Sequence, residues 1–494
     1  MNRLASMDRL YLSIFAVGNL AINAMALKIG LKRSRFSALF WLSLLLIFSL
    51  PALVDTIAGL PHGYAADRYY MAFPHAVDGL AGGVRFAFVY SSIVCATYVA
   101  FEHCLGMARR PSSNRNGRLL IWMTRSDTLI TMLALSFVVS IGCIAARHWD
   151  LSHPFNEFLA WDATPEYETY FFLASTPLIA LLVQRKPRQT GWIILVCGMS
   201  AVAAYFLGVR YYMFPFIGYA VWFSLNHPAI RLGTKFRRIG LACLGAWVVL
   251  TLWGVIRAAN ARDNPWAELS GAGVGEITEK ILLGNEFGTR LAYYDLAWRL
   301  ESGIIESRGI ESLKALFLSP IYPMLQRYLN IVVPISNSKR VFELQNGVLG
   351  KGASTGVLVF GNDWFTFGKW GVIIGAVVMG TILFFVDRLQ SRGGTLWFLL
   401  GPMWTFQLIF FARGGTDVWL AIWGMFLPIT LAILIAARLI DRGRPLRTLS
   451  RLPQGMTPNP EGRRVAFVIH GDAGSGIESG KLLSSRAFVQ GEHG

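Results

Sequence analysis

Arginines stand at the ends of three apolar stretches of this sequence. Arg210 follows "AVAAYFLGV", Arg257 closes the apolar stretch that ends "LWGVI", and Arg413 lies in "FFARGG". An ionisable group at such a depth in a membrane is costly and tends to mark a functional site. The planar guanidinium fork binds phosphate oxygens in pairs and stays charged. Three such groups facing one compartment would bind a diphosphate. The alternative is that each side chain reaches out to lipid headgroups.

Asp363 is the only carboxylate in the segment "GASTGVLVFGNDWFTFGKWGVIIGAVVMG". Glycines interrupt this apolar segment, and broken backbone at membrane depth must be covered by protein or line a cavity. In an apolar pocket beside Trp364 and Phe365, Asp363 would act as a general base. The alternative is a helix-capping role for Asp363. The two aromatic rings would stack on sugars or belong to an aromatic belt at the membrane surface. The interrupting glycines are Gly352, Gly356, Gly361 and Gly368.

The stretch "EITEKILLGNEFGTRLAYYDLAWRLES" has the spacing of an amphipathic helix that packs over the spans or lies on the bilayer. Tyr294 lies on its apolar face and is a further candidate for sugar binding. Arg290 and Asp295 would line one side of a site as a polar wall, together with Glu286 and Tyr294. The favoured alternative is that these polar residues form a solvated face of the helix. Asp55 is a lone acid in an apolar stretch and is expected to pair with another span.

Membrane-spanning helices must position these residues. The 494 residues are 54% hydrophobic and only 15% charged, and apolar runs recur at the length that crosses a bilayer. The fold class is therefore all-α, a polytopic membrane protein with about eleven transmembrane helices and one long periplasmic loop. The predicted spans are 10–27, 36–60, 81–104, 127–146, 169–184, 190–208, 211–225, 239–256, 370–386, 395–411 and 416–437.

Basic residues collect in every other loop between the spans, which orients the chain. The N-terminus is predicted outside and the C-terminus in the cytoplasm. Residues 1–256 would carry spans one to eight, 257–369 the long periplasmic loop with its re-entry segment, and 370–440 spans nine to eleven. Residues 441–494 are polar and predict a disordered cytoplasmic tail.

The basic residues that give the net charge of +17 lie in these same loops. Because the orientation of the spans explains them, no nucleic-acid partner is expected. The cysteines lie in or beside apolar spans and form no CxxC pair. His148 and His153 lack a third ligand, so no metal site is predicted.

The arrangement resembles the bacterial O-antigen and exopolysaccharide repeat-unit polymerases of the Wzy type over about residues 160–440. Three segments carry the resemblance: "FLGVRYYMF", "GVIRAAN" at the start of the long loop, and "STGVLVFGNDWFTFGKWGVIIGAVVMG". The resemblance implies a glycosyltransferase of the bacterial inner membrane that needs no metal ion, nucleotide sugar or other cofactor. Its substrate would be an undecaprenyl-diphosphate-linked oligosaccharide, within membrane lipid. It also allows a chain-length regulator and a flippase of the same pathway as partners.

The resemblance implies that Arg210 and Arg257 are catalytic, because they would stabilise the leaving diphosphate. Asp363 stands where the family frequently has a glutamate, and it would activate the acceptor hydroxyl. The nearest alternative is an O-antigen ligase, which usually offers a histidine in the long loop; residues 257–368 contain none. A transporter or flippase for the same lipid should show internal duplication, and no repeat is visible.

Overall fold

The computed structural model describes residues 6–60, 73–106, 114–147, 167–185, 190–207, 210–226, 289–318, 337–346, 357–414 and 417–442. Helices dominate these ranges, and no strand occurs within them. The all-α class is thus confirmed for this part of the chain.

Five helical stretches in the described ranges are long and apolar enough to cross a membrane, and a bent pair, Thr395–Thr405 with Gln407–Gly414, makes a sixth if it is one span. Eleven spans and the long periplasmic loop stay predictions. Predicted span eight, 239–256, and the predicted tail from 443 onward lie outside the described residues. The five stretches are Leu10–Lys32, Ala38–Ala58, Ala76–Leu105, Asp127–Arg147 and Leu358–Arg392.

The first half of the described chain is a series of helices. A five-residue π-helix, Leu45–Ser49, and a 3₁₀ turn, Arg210–Met213, interrupt the series. The helices are α1 Ser6–Lys32, α2 Ala38–Leu44, α3 Leu50–Ala58, α4 Ala76–Leu105, α5 Asn114–Arg125, α6 Asp127–Arg147, α7 Tyr167–Ala174, α8 Pro177–Arg185, α9 Thr190–Phe206 and α10 Phe214–Asn226.

Predicted span five, 169–184, is not one continuous helix. It consists of α7 and α8, which are separated at Ser175 and Thr176. The break precedes Pro177, whose ring disfavours helical backbone in the residue before it. Proline itself is tolerated as the first residue of α8.

The second half begins with three short helices that fall within the predicted long loop. They precede the longest helix of the structure and two further apolar helices. The bounds are α11 Thr289–Glu301, α12 Ile310–Leu318, α13 Asn337–Asn346, α14 Leu358–Arg392, α15 Thr395–Gly414 and α16 Asp417–Arg442.

Residues at helix ends that the sequence places on one side of the membrane contact each other. Arg35, before α2, pairs with Glu102 near the end of α4. Asp387, near the end of α14, accepts hydrogen bonds from the Ser37 backbone N–H at 2.9 Å and from the Tyr98 hydroxyl at 2.7 Å. The start of α2 therefore meets the ends of α4 and α14, as the predicted alternation of these three spans requires. Which face is cytoplasmic stays a prediction.

Candidate active site

The helix α14 reverses its direction near its start. Phe367 (φ −134°, ψ 24°) and Gly368 (φ 63°, ψ −149°) have non-helical backbone. A Cβ atom added to Gly371 would overlap the Asp363 carbonyl oxygen, and one added to Gly375 would overlap the Asp363 carboxylate. Residues eight and twelve apart in a straight helix are about 12 and 18 Å apart. The arm before Phe367 therefore folds back against the arm after Gly368.

This hairpin coincides with the predicted re-entry segment. Gly368 breaks the run, as the sequence indicates, because its positive φ suits glycine. Gly361 lies inside the first arm, where its Cα faces the Tyr293 ring. Gly352 and Gly356 lie outside the described residues.

Asp363 lies inside the first arm of the hairpin and is only 6% exposed. The fully buried hydroxyl of Tyr90, on α4, donates a hydrogen bond to Asp363 Oδ2 at 3.0 Å. The helix begins at Leu358 with Val357 at the capping position. The helix-capping alternative for Asp363 is therefore wrong, and the carboxylate is held between two helical arms and a phenol.

The three aromatic residues predicted to bind sugar are all buried. Trp364 packs on Phe86 with ring centroids 3.9 Å apart, and Phe365 lies beside it in the core. Tyr294 is fully buried on α11. Sugar binding by these rings stays a prediction, and Trp364 is part of the lining of an open pocket.

Arg290 on α11 forms a buried ion pair with Asp55 near the end of α3. The distances are 2.6 Å from Arg290 Nε to Asp55 Oδ2 and 3.1 Å from Nη2 to Oδ1. The two side chains are only 6% and 2% exposed. The Tyr294 hydroxyl donates to Asp55 Oδ2 at 3.3 Å. Burial and the neighbouring Asp55 carboxylate raise the pKa of Tyr294 well above its usual value, so the phenol stays a donor. The sequence predicts that Asp55 pairs with another span; it does pair, but its partner lies on a helix of the predicted long loop.

The solvated face expected for Arg290 and Asp295 is wrong. All side chains from Thr289 to Ala297 are buried. Asp295 accepts a hydrogen bond from the His75 backbone N–H at 3.0 Å and pairs with Arg299 at 2.7 Å. Each charge on this helix has a partner of its own, which lets a polar helix enter the bundle. Glu286 lies outside the described residues.

A glycine stripe on α4 admits α11 at close range. A Cβ atom on Gly79 would overlap the Tyr294 carbonyl oxygen, and one on Gly83 would press on the Tyr294 ring. The Tyr293 hydroxyl donates to the Gly83 carbonyl oxygen at 2.8 Å. Small residues four apart are a familiar device for close helix contact in membranes. This Gly-x-x-x-Gly spacing is the sequence signal that would have revealed the contact.

The loop after α11 closes the end of the first hairpin arm. The backbone N–H groups of Arg308 and Gly309 donate to the carbonyl oxygens of Phe365 and Thr366 at 2.9 and 2.7 Å. The side chain of Asn337, at the start of α13, donates to Thr366 Oγ1 at 3.0 Å. The two backbone hydrogen bonds satisfy carbonyl groups that a helix end leaves unpaired. Segments of the predicted long loop thus hold the hairpin in place.

The predicted diphosphate-binding arginines lie in different parts of the chain. Arg210 begins the 3₁₀ turn between α9 and α10, at the turn predicted between spans six and seven. Arg413 lies in the last turn of α15 and is partly buried. Arg257 lies outside the described residues. The grouping of their guanidinium groups stays a prediction.

Within the described ranges, no group of three or more His, Cys, Asp or Glu side chains could hold a metal ion. Comparison of the chain with known protein families, with curated proteins and with solved structures finds no match.

Proposed function

We propose that this protein polymerises undecaprenyl-diphosphate-linked oligosaccharide repeat units at the periplasmic face of the bacterial inner membrane. The observation that carries the proposal is the α14 hairpin, which buries the Asp363 carboxylate beneath segments of the long loop. The two arms pack against each other, and Gly368, with its positive φ, forms the turn between them. Together with the aromatic neighbours of Asp363, they make a fixed site at the end of an apolar span.

The proposed reaction forms one glycosidic bond and breaks one anomeric carbon–diphosphate bond. A hydroxyl group of one lipid-linked unit attacks the anomeric carbon of the chain carried on another lipid. Asp363 takes the hydroxyl proton, and undecaprenyl diphosphate leaves with the bonding electrons. The Tyr90 hydrogen bond orients the carboxylate for this step.

The arginines at the span ends complete the proposed site. Arg210, Arg257 and Arg413 would bind the diphosphate, and the first two would stabilise the negative charge that develops on it as it leaves. Neither a metal ion nor a nucleotide sugar takes part in this scheme, because the substrate already carries an activated anomeric carbon.

Deletion of the gene tests the proposed function directly. We expect single repeat units on the carrier or acceptor lipid and no long chains, seen on a gel of cellular glycolipids. Long chains stranded on undecaprenyl diphosphate would indicate a ligase instead. Loss of periplasmic glycan, with single units held in the cytoplasmic leaflet, would indicate a flippase.

Substitution of the arginines tests the diphosphate site. Arg210→Ala and Arg257→Ala are each expected to abolish chain extension in complemented deletion cells while the protein stays at its normal level in the membrane. Arg210→Lys and Arg257→Lys should restore little activity, because lysine lacks the two-pronged donor geometry. Full chain extension in both alanine variants would eliminate the proposed clamp.

A further inference from the structure

An open pocket of about 360 Å³ lies beside the hairpin turn of α14. Its walls come from three places: the end of α11, the loop that follows α11, and the turn of the hairpin. Its volume falls in the range of small-molecule binding sites. Trp364, in its lining, lies on the same hairpin arm as Asp363, so the pocket is formed by the hairpin that carries the proposed catalytic carboxylate.

The pocket walls are fixed to each other. The backbone hydrogen bonds from Arg308 to Phe365 and from Gly309 to Thr366 join the loop to the hairpin directly behind the pocket lining. Gly368, which lines the pocket, holds the turn with its φ of +63°. A site whose walls are tied together in this way loses little conformational freedom when a ligand binds.

The chemistry of the lining suits a neutral, hydroxylated ring. Leu300, Ile305 and Trp364 supply apolar surface. Opposite charges and a hydroxyl group stand beside that surface, and they provide donors and acceptors without net charge. Because the charges of Glu306 and Lys369 offset each other, the lining has no excess positive charge to attract a diphosphate, whereas sugar hydroxyls can use both groups as hydrogen-bond partners. These polar residues are Glu306, Ser307 and Lys369.

Exposed apolar side chains surround the same loop and turn. Ile304 is 59% exposed, Ile310 is 69% exposed and Trp370 is 72% exposed. In water such exposure is unfavourable, whereas tryptophan and aliphatic side chains are stabilised at the surface of a bilayer. The side chains next to the pocket therefore suit contact with the surface of a bilayer, where the sugars of a lipid-linked oligosaccharide begin.

We propose that this pocket binds a neutral sugar ring of a lipid-linked oligosaccharide at the hairpin that carries Asp363. The inference rests on the proposed function and assigns a sugar subsite to it. Glu306, Ser307 and Lys369 bind the hydroxyl groups of the ring. The diphosphate of the same molecule binds outside this pocket.

Cysteine protection in the purified full-length protein tests this subsite. Ser307→Cys is introduced after the native cysteines are replaced by serine, and labelling with a soluble maleimide is timed in lipid nanodiscs. Ser302→Cys is the matched control, since Ser302 is exposed on the same connection but does not line the pocket. Ser302→Cys must still extend chains in cells, and Ser307→Cys must reach its normal level in the membrane. The probes are the glycolipid extract of cells that lack the gene and undecaprenyl diphosphate alone.

We expect the extract to slow labelling of Ser307→Cys at least fivefold and undecaprenyl diphosphate alone to leave it unchanged. Labelling of Ser302→Cys should be unchanged with both probes. Equal protection by both probes, or protection by neither, would overturn the sugar subsite even if the extract contains single repeat units and the proposed function stands. An extract that contains no single units would instead overturn the proposed function itself.

Discussion

Arg290→Ala is expected to destabilise the protein by about 3–5 kcal/mol, the usual cost of removing one partner of a buried ion pair. Among the described residues, the Asp55 carboxylate would keep the Tyr294 hydroxyl at 3.3 Å as its hydrogen-bond donor in the core and would lose its charged partner. The α11 helix would lose its charged attachment to α3. We expect a large fall in the midpoint temperature of heat unfolding, measured by circular dichroism in detergent.

A half-exposed pair provides the matched control. Arg147 and Glu168 are 2.9 Å apart, and the Arg147 side chain is 53% exposed. Arg147→Ala should cost no more than about 1 kcal/mol, because solvent screens exposed pairs. If Arg290→Ala unfolds at the same temperature as Arg147→Ala, the buried pair does not hold α11 in place.

A double variant separates the loss of a charge partner from the loss of side-chain volume. Asp55→Leu with Arg290→Met removes both charges and keeps an apolar filling, and such replacements are often neutral or stabilising. We expect the double variant to unfold at a higher temperature than Arg290→Ala. A double variant less stable than Arg290→Ala would show that Arg290 acts through other contacts.

The helical class and several spans follow from the sequence because apolar length dominates the signal. Residues 127–146 are predicted as a span and form α6, Asp127–Arg147. Gly368 is predicted to break the re-entry segment and does so. These features depend on local chemistry, which a window of neighbouring residues contains.

The burial of α11 depends on contacts that no local window contains. Its polar residues Arg290 and Asp295 look solvated until Asp55 and the His75 backbone are brought to them across more than two hundred residues. The tight hairpin could not be predicted either. The sequence indicates a break at Gly368, but it does not indicate the direction that the chain takes after the break. Nothing in the sequence around Tyr90 indicates its hydrogen bond to Asp363, because that contact forms only when α4 packs against α14.

Asp363→Asn is expected to lower chain extension by at least about a hundredfold, since a general base contributes about 10²–10⁴ to a rate. The amide keeps the volume of the carboxylate and can accept the Tyr90 hydrogen bond, so the protein should reach its normal level in the membrane. Polymer made per copy of protein in complemented deletion cells is the measurement. Unchanged polymer at a normal protein level would remove Asp363 from the chemistry.

Gly375→Ala should impair chain extension although the Asp363 residue itself is kept. The new methyl group would overlap the carboxylate, and because close-packed arms yield little, the carboxylate must leave its place. Gly142→Ala is the matched control, since a Cβ atom there meets nothing within 4 Å in the described part of the chain. It should leave polymer unchanged.

The double variant Asp363→Gly with Gly375→Ala distinguishes packing from chemistry at this site. It removes the carboxylate atoms that the new methyl group would overlap, so the two arms can close and the protein should reach its normal level in the membrane. Chain extension should stay absent, because no proton acceptor has returned. Recovery of both protein and polymer would instead mean that Asp363 serves only to pack the hairpin, and the proton acceptor would have to be sought elsewhere.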